Sequence, residues 1–335
     1  MRYLTSFVLI FFVLLFMTGC TSNSMYLGEV NVLNWSSYIP DSVLRSFEEE
    51  YNIKVNYGTY SSNEELLAKI SSSKEGTYDV IFPSDYMTQL LIEKGLLQKI
   101  DISKISNYKN IDNVFLNKDY DPGNDYSLPF LTTIVVIAVN KDNVTDRISS
   151  YNDLLSEKYR NNIVLIDDQR IIIGMSLLAN GYDMNSVSED ELNKAKDWLL
   201  KLKSNVKAYD SDSPKSFFIT EEADIGVMWH AEAEIAKEEN PNIEIVYPNE
   251  GHAISTDNYT IVKGAKNVDN AYLFINYLLR NEVSSLITDE YPYISPNNIV
   301  QKSKINEELI FNNGYYVQNI GFDIKKYDKI WADIK

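Results

Sequence analysis

Short apolar runs alternate with amphipathic stretches through most of this chain. Val30, Val32 and Leu33 mark a strand that runs out into Trp35 and Tyr38. A helix follows, with Val43, Leu44, Phe47 and Tyr51 on one face and Asp41 or Ser42 as the expected cap. A strand over 53–57, a helix over 63–70, a strand over 78–82 and a helix carrying Met87, Leu90, Leu91 and Ile92 up to Gly95 complete a βαβα series. Such alternation predicts a parallel sheet covered on both faces. Residues 126–130 and the β-branched run 133–139 then predict an extended crossing between two such units. A second series has strands over 162–166, 206–209, 224–228, 243–247 and 258–262. Its helices are one ended by Gly181, one with Leu192, Ala195, Leu199 and Leu202 inward behind a capping box of Ser188 and Glu191, and one over 268–279. From Glu290 the pattern becomes turn-rich, through Tyr291, Pro292 and Tyr293, before a helical tail.

In open α/β sheets, ligands bind beyond the carboxyl ends of the strands. Four such exits carry, in turn, Trp35 and Tyr38; Pro83, Ser84, Asp85 and Tyr86; Asp167 and Asp168; and Trp229 with His230. One buried aromatic mostly packs, but its recurrence at successive exits argues for a lining. Helix N-termini ordinarily receive anions through free N–H groups. Here carboxylates and π faces stand at those places, which suits a cation with apolar segments. An anionic solute calls for an arginine clamp, and of six arginines only Arg170 lies near an exit, where its expected role is to pair with Asp167 or Asp168.

Composition narrows the choice. A chain of 335 residues, 44% hydrophobic and 24% charged, has core material for two domains. Its net charge of −17 argues against nucleic acid as a partner. Cys20 is the single cysteine and His230 and His252 the only histidines, so no disulfide, zinc-thiolate centre or thiol nucleophile is expected in the folded part, and neither metal nor cofactor. Adjacent acids such as Asp167 and Asp168 rarely straddle a scissile bond, and no G-x-S-x-G elbow occurs, so catalysis is not expected. At the start of the sequence, Arg2 precedes an apolar run over 7–17, too short to span a bilayer and matched to a signal peptide. Met17, Thr18, Gly19 and Cys20 resemble the lipobox of bacterial lipoproteins. That resemblance implies removal of 1–19, a lipid on Cys20, and a tether over 20–28.

A longer resemblance runs in order through the chain: Asn34, Trp35, Ser36, Ser37, Tyr38, Ile39 and Pro40; Tyr78, Asp79 and Val80 with Pro83 and Ser84; Asp125, Tyr126, Ser127, Leu128 and Pro129; Asp167 and Asp168; Met228 and Trp229; Tyr293 with Pro296 and Asn297; and Gln318. Over 28–335 the sequence is similar to the substrate-binding component of bacterial spermidine/putrescine ABC importers. The resemblance implies a two-lobed α/β fold of the periplasmic-binding-protein type II class with the ligand cleft between lobes. It places 29–132 with 256–305 in lobe 1 and 133–255 with 306–335 in lobe 2, with hinges near 131–140 and 250–257. It implies an aromatic box of Trp35, Tyr38, Tyr86, Trp229 and Tyr293, ammonium partners Asp168 and Asp257, and polar contacts from Ser36, Ser84 and Gln318. The implied partners are a polyamine, an ABC permease complex and, through Cys20, a membrane facing the periplasm or the cell exterior; the protein is expected to be a monomer. Ile171 and Ser255 stand where spermidine-binding members usually have a glutamate and an aromatic, which points toward putrescine or toward both ligands equally. A receptor for another small solute, and a surface adhesin, remain the alternatives.

Overall fold

The structure, a computed structural model, describes residues 26–211, 213–300 and 310–335. The expected signal segment 1–19, Cys20 and most of the tether lie outside the described residues. In chain order the elements are β1 (Gly28–Trp35), α1 (Asp41–Tyr51), β2 (Ile53–Tyr60), α2 (Asn63–Ser72), β3 (Val80–Ile81), α3 (Asp85–Glu93), β4 (Leu97–Gln98) and the long β5 (Ser127–Asn140). Next come β6 (Ile163–Leu165), α4 (Gln169–Ala179), α5 (Glu189–Leu202), β7 (Val206–Tyr209), α6 (Lys215–Ile219), β8 (Ile225–Trp229), α7 (His230–Glu239) and β9 (Ile243–Val246). The last are β10 (His252–Val262), α8 (Val268–Leu278), α9 (Asn281–Glu290), β11 (Gly314–Tyr316) and α10 (Ile324–Ile334).

The strands join in the order β2-β1-β3-β10-β5-β8-β6-β7, with β4 and β11 also on β10 and β9 on β5. The parallel pairs are β1 with β2 and β3, and β6 with β7 and β8. The two strands expected to close the second series depart from this: β9 pairs antiparallel with β5, and β10 antiparallel with β3, β4 and β5. The two series meet through antiparallel pairing of β5 and β10. β5 then continues beyond β10 to pair with β8 and β9, so one strand serves both halves, and all fourteen of its residues are buried. The side-chain alternation of β1 divides its apolar residues between two layers. Val30 and Val32 pack with Val43 and Phe47 of α1 and with Phe274 of α8, whereas Leu33 joins Leu66 of α2 and Met87 and Leu91 of α3. In the other half, Tyr327, Ile330 and Ile334 of α10 complete the core built by β6, α4 and α5.

Three local expectations change. α1 begins at Asp41 with Pro40 in the cap position and no side-chain cap; proline's fixed φ suits that entry, and Asp41 in the first turn complements the helix dipole. The capping box does not form, because Glu191 accepts from Ser186 Oγ at 2.5 Å rather than reaching back to Ser188. The strand expected over 258–262 begins instead at His252, as β10, and its pairing shifts between Asp257 and Asn258. Asp257 still pairs with Leu131 of β5, Phe130 being the residue passed over at the shift, and on its other side Asp257 bridges Ser84 beyond β3.

Candidate functional site

A cavity of about 460 Å³ opens where these strand ends converge. Nine of the ten residues singled out in the sequence line it: Trp35, Ser36 and Tyr38 after β1, Ser84 and Tyr86 after β3, Asp168 after β6, Trp229 at the end of β8, Asp257 at the irregularity of β10, and Tyr293. Gln318 is not among them. It is exposed, its N–H donates to Asn185 Oδ1 at 2.9 Å, its carbonyl accepts from Arg170 Nη1 at 2.9 Å, and the neighbouring Val317 faces the cavity instead.

The aromatic rings are held from behind. Trp35 Nε1–H donates to the Phe82 carbonyl at 3.0 Å, and its ring lies 4.5 Å from that of Tyr60, whose hydroxyl donates to the same carbonyl. The Tyr38 ring lies 4.7 Å from Tyr293, and its hydroxyl donates to Asp257 Oδ2 at 2.9 Å. Tyr86 donates to Glu64 Oε1 at 3.3 Å and has the Arg170 guanidinium 5.8 Å from its ring centroid. Rings fixed in this way keep their faces toward a ligand without further ordering cost.

The charges are one-sided. Glu64, Asp85, Asp167, Asp168, Glu232, Asp257 and Asp328 line the cavity, against Arg170 and Lys335. Arg170 does not ion-pair with Asp167 or Asp168 as expected; its guanidinium bonds the Gln318 carbonyl and Asn185 Oδ1, and only its backbone N–H reaches Asp168. Asp168 caps α4, accepting from the N–H groups of Arg170 at 2.7 Å and Ile171 at 3.1 Å. Burial raises the Asp168 pKa, and those two N–H donors counter it. Burial pushes Asp257 up to about 7, with the Tyr38 hydroxyl pulling the other way. Asp85, wholly buried, is raised well above the usual carboxylate range by desolvation, while Glu232, also raised by burial, keeps an ion pair with Lys215 at 2.8 Å. A pocket that strips water from several carboxylates is one in which an arriving ammonium regains a partner for each.

Glu64 and Glu232 escaped the sequence reading. Glu64 follows a further strand exit, because β2 extends to Tyr60 rather than stopping at Tyr57. Glu232 stands one helical turn after Trp229, in the first turn of α7, a spacing that was visible in the sequence. Among the described residues, no group of three or more His, Cys, Asp or Glu is arranged to hold a metal ion.

Comparison with known proteins agrees with this architecture. A family model described as bacterial extracellular solute-binding protein matches residues 42–309. A spermidine/putrescine-binding periplasmic protein of Salmonella typhimurium is 37% identical over 270 residues, covering 80% of this chain and 78% of the relative. Among solved structures, a protein of Listeria monocytogenes described as a candidate spermidine/putrescine ABC transporter superposes with a TM-score of 0.85 at 31% identity, covering 91% of this chain and 98% of the other. A lipoprotein of Treponema pallidum superposes with a TM-score of 0.84 at 29% identity, covering 92% and 99%. The fold, the cleft at its strand ends and these similarities converge on one assignment: the chain belongs to the bacterial extracellular solute-binding proteins.

Proposed function

We propose that this protein is an extracytoplasmic polyamine receptor, taking putrescine, spermidine or both and delivering them to an ABC permease. The observation that carries the reading is the Tyr38–Asp257 pair inside an acid-rich, aromatic-walled cavity. A linear diamine has an ammonium for a buried carboxylate and methylenes for ring faces, and nothing in it requires an arginine clamp. The Salmonella relative is named for the same two ligands. The protein acts as a receptor and not as an enzyme, in keeping with its family.

Lobe 1 comprises 29–132 with 256–305 and lobe 2 comprises 133–255 with 306–335, so that β5 and β10 carry the chain between them. The aromatic box, Asp168 and Asp257 grip the ligand as the lobes close, with Ser36 and Ser84 on its polar end. The lipobox ending at Cys20 anchors the monomeric receptor to the membrane, and a lipoprotein stands among its structural relatives. Isothermal titration with putrescine, spermidine and spermine tests the ligand class, with arginine and a neutral sugar as controls. Saturable heat with amines alone is expected; absence of binding by every amine, or equal binding by the controls, overturns the reading. Mass spectrometry of the membrane-extracted protein should find a diacylglyceryl group on Cys20, and Cys20→Ala should release the protein from the membrane.

A further inference from the structure

Beside the aromatic box, at the border of the same cavity, lies a second arrangement with the same chemistry, already filled by a side chain of the protein, with Asp167, Trp331 and Lys335 in the cavity lining and Tyr209 behind it. The ammonium of Lys335 sits 4.0 Å from the centroid of the Tyr209 ring and 4.8 Å from that of Trp331. The two rings stand nearly perpendicular, at 80° with centroids 5.5 Å apart, and Asp167 forms an ion pair with the same ammonium. A lysine on a protein surface ordinarily extends its ammonium into water, since holding the long side chain in one geometry costs rotamer entropy. Here it folds over two π faces and a carboxylate, the combination that favours a partly desolvated cation. Asp167, Trp331 and Lys335 line the ligand cavity together with Asp168, so the cage is continuous with the site and not a separate feature of the surface.

We propose that Asp167, Tyr209 and Trp331 form a second ammonium subsite of the ligand cavity, which Lys335 occupies in the free protein and the distal ammonium of a long polyamine claims by displacing it. The proposal rests on the polyamine reading above and adds to it a determinant of chain length. Lys335 is a tethered competitor for one end of the cavity. A diamine held at the Asp257 end leaves it in place, whereas an amine with three or four charges must expel it before gaining the cage. Lys335 thereby biases the receptor toward short ligands. This bias acts separately from Ile171, which affects the cavity only by lacking a charge.

The test is isothermal titration of putrescine and spermine into the full-length protein, its Lys335→Gln variant, the Lys335→Gln/Asp167→Asn double variant, and a Lys196→Gln control. Lys196 pairs with Asp333, away from the cavity lining, and reports the effect of losing any one nearby positive charge. Lys335→Gln should shift the spermine-to-putrescine affinity ratio toward spermine by about tenfold. The shift should be absent in Lys196→Gln and abolished by adding Asp167→Asn. Putrescine binding with an unmoved ratio sinks the subsite while leaving the polyamine reading intact, as does an equal shift in the Lys196 control or a shift that survives Asp167→Asn. Absence of binding by either amine to the unaltered protein overturns both.

Discussion

Tyr38 and Asp257 lie 219 residues apart in the chain and meet through a 2.9 Å hydrogen bond from phenol to carboxylate. One leaves β1 and the other sits at the irregularity of β10, so the contact forms only once those two strands occupy one sheet. Because the phenol donates to one carboxylate oxygen, it orients the group and leaves the other oxygen for a second donor.

This pair sets the expected pH dependence. With its pKa pushed up to about 7, Asp257 takes up a proton as the pH falls through neutrality, and an ammonium binds best to the carboxylate. Putrescine affinity should therefore fall below about pH 7, approaching tenfold per unit, with proton release on binding near about pH 6. Burial raises Asp168 as well, which adds to the fall with the same sign. For the free protein, a carboxyl whose folded pKa is raised contributes stability that is present below its unfolded pKa and is lost as the pH rises through about 7. Asp257→Asn should weaken both putrescine and spermidine and flatten the pH profile. Titration in two buffers of different ionisation heat measures the proton release, and a pH-independent affinity in the unaltered protein would contradict the assignment.

Trp229 offers a ring to the cavity while packing at the edge of the second core. Trp229→Ala should cost binding on the order of 1 to 2 kcal/mol, roughly five- to thirtyfold, and should change the melting temperature less than a core truncation would. A variant that melts several degrees lower yet binds normally would make the residue purely structural.

Ile171 lines the cavity and is 3% exposed, so the site has an apolar wall beside Asp168. An ammonium placed there has no carboxylate from this position, and an unpaired buried charge costs several kcal/mol. Putrescine should bind at least as well as spermidine, and Ile171→Glu should move the ratio toward spermidine. Competition titrations that show spermidine more than about tenfold tighter, a gap of about 1.4 kcal/mol, would refute this.

Closure should bend β5 and β10 near 131–140 and 250–257, because these strands carry the chain between the two series and the cavity draws on both. Small-angle scattering should show a smaller radius of gyration at saturating putrescine. An unchanged radius with ligand demonstrably bound would count against a hinge.

The α/β alternation, the parallel pairing of β1 with β2 and β3 and nine of the cavity residues were legible from the sequence, because periodicity and strand-to-helix exits are local properties of the chain; the antiparallel pairing of β9 and β10 was not. Local reading failed where a competing contact won. Ser186 took Glu191 from its capping box, and Pro40 displaced Asp41 as the cap. It also could not show that Arg170 bonds the Gln318 carbonyl rather than an aspartate, nor that Glu64 and Lys335 border the cavity. Those outcomes depend on the pairing of β5 with β10 and on where α10 packs against the second core. The sequence by itself determined which residues end strands and what chemistry they carry. Which of them share one desolvated space, and which basic side chains border it, was decided by the tertiary structure, because burial and charge pairing depend on distances between side chains that the order of residues along the chain does not set.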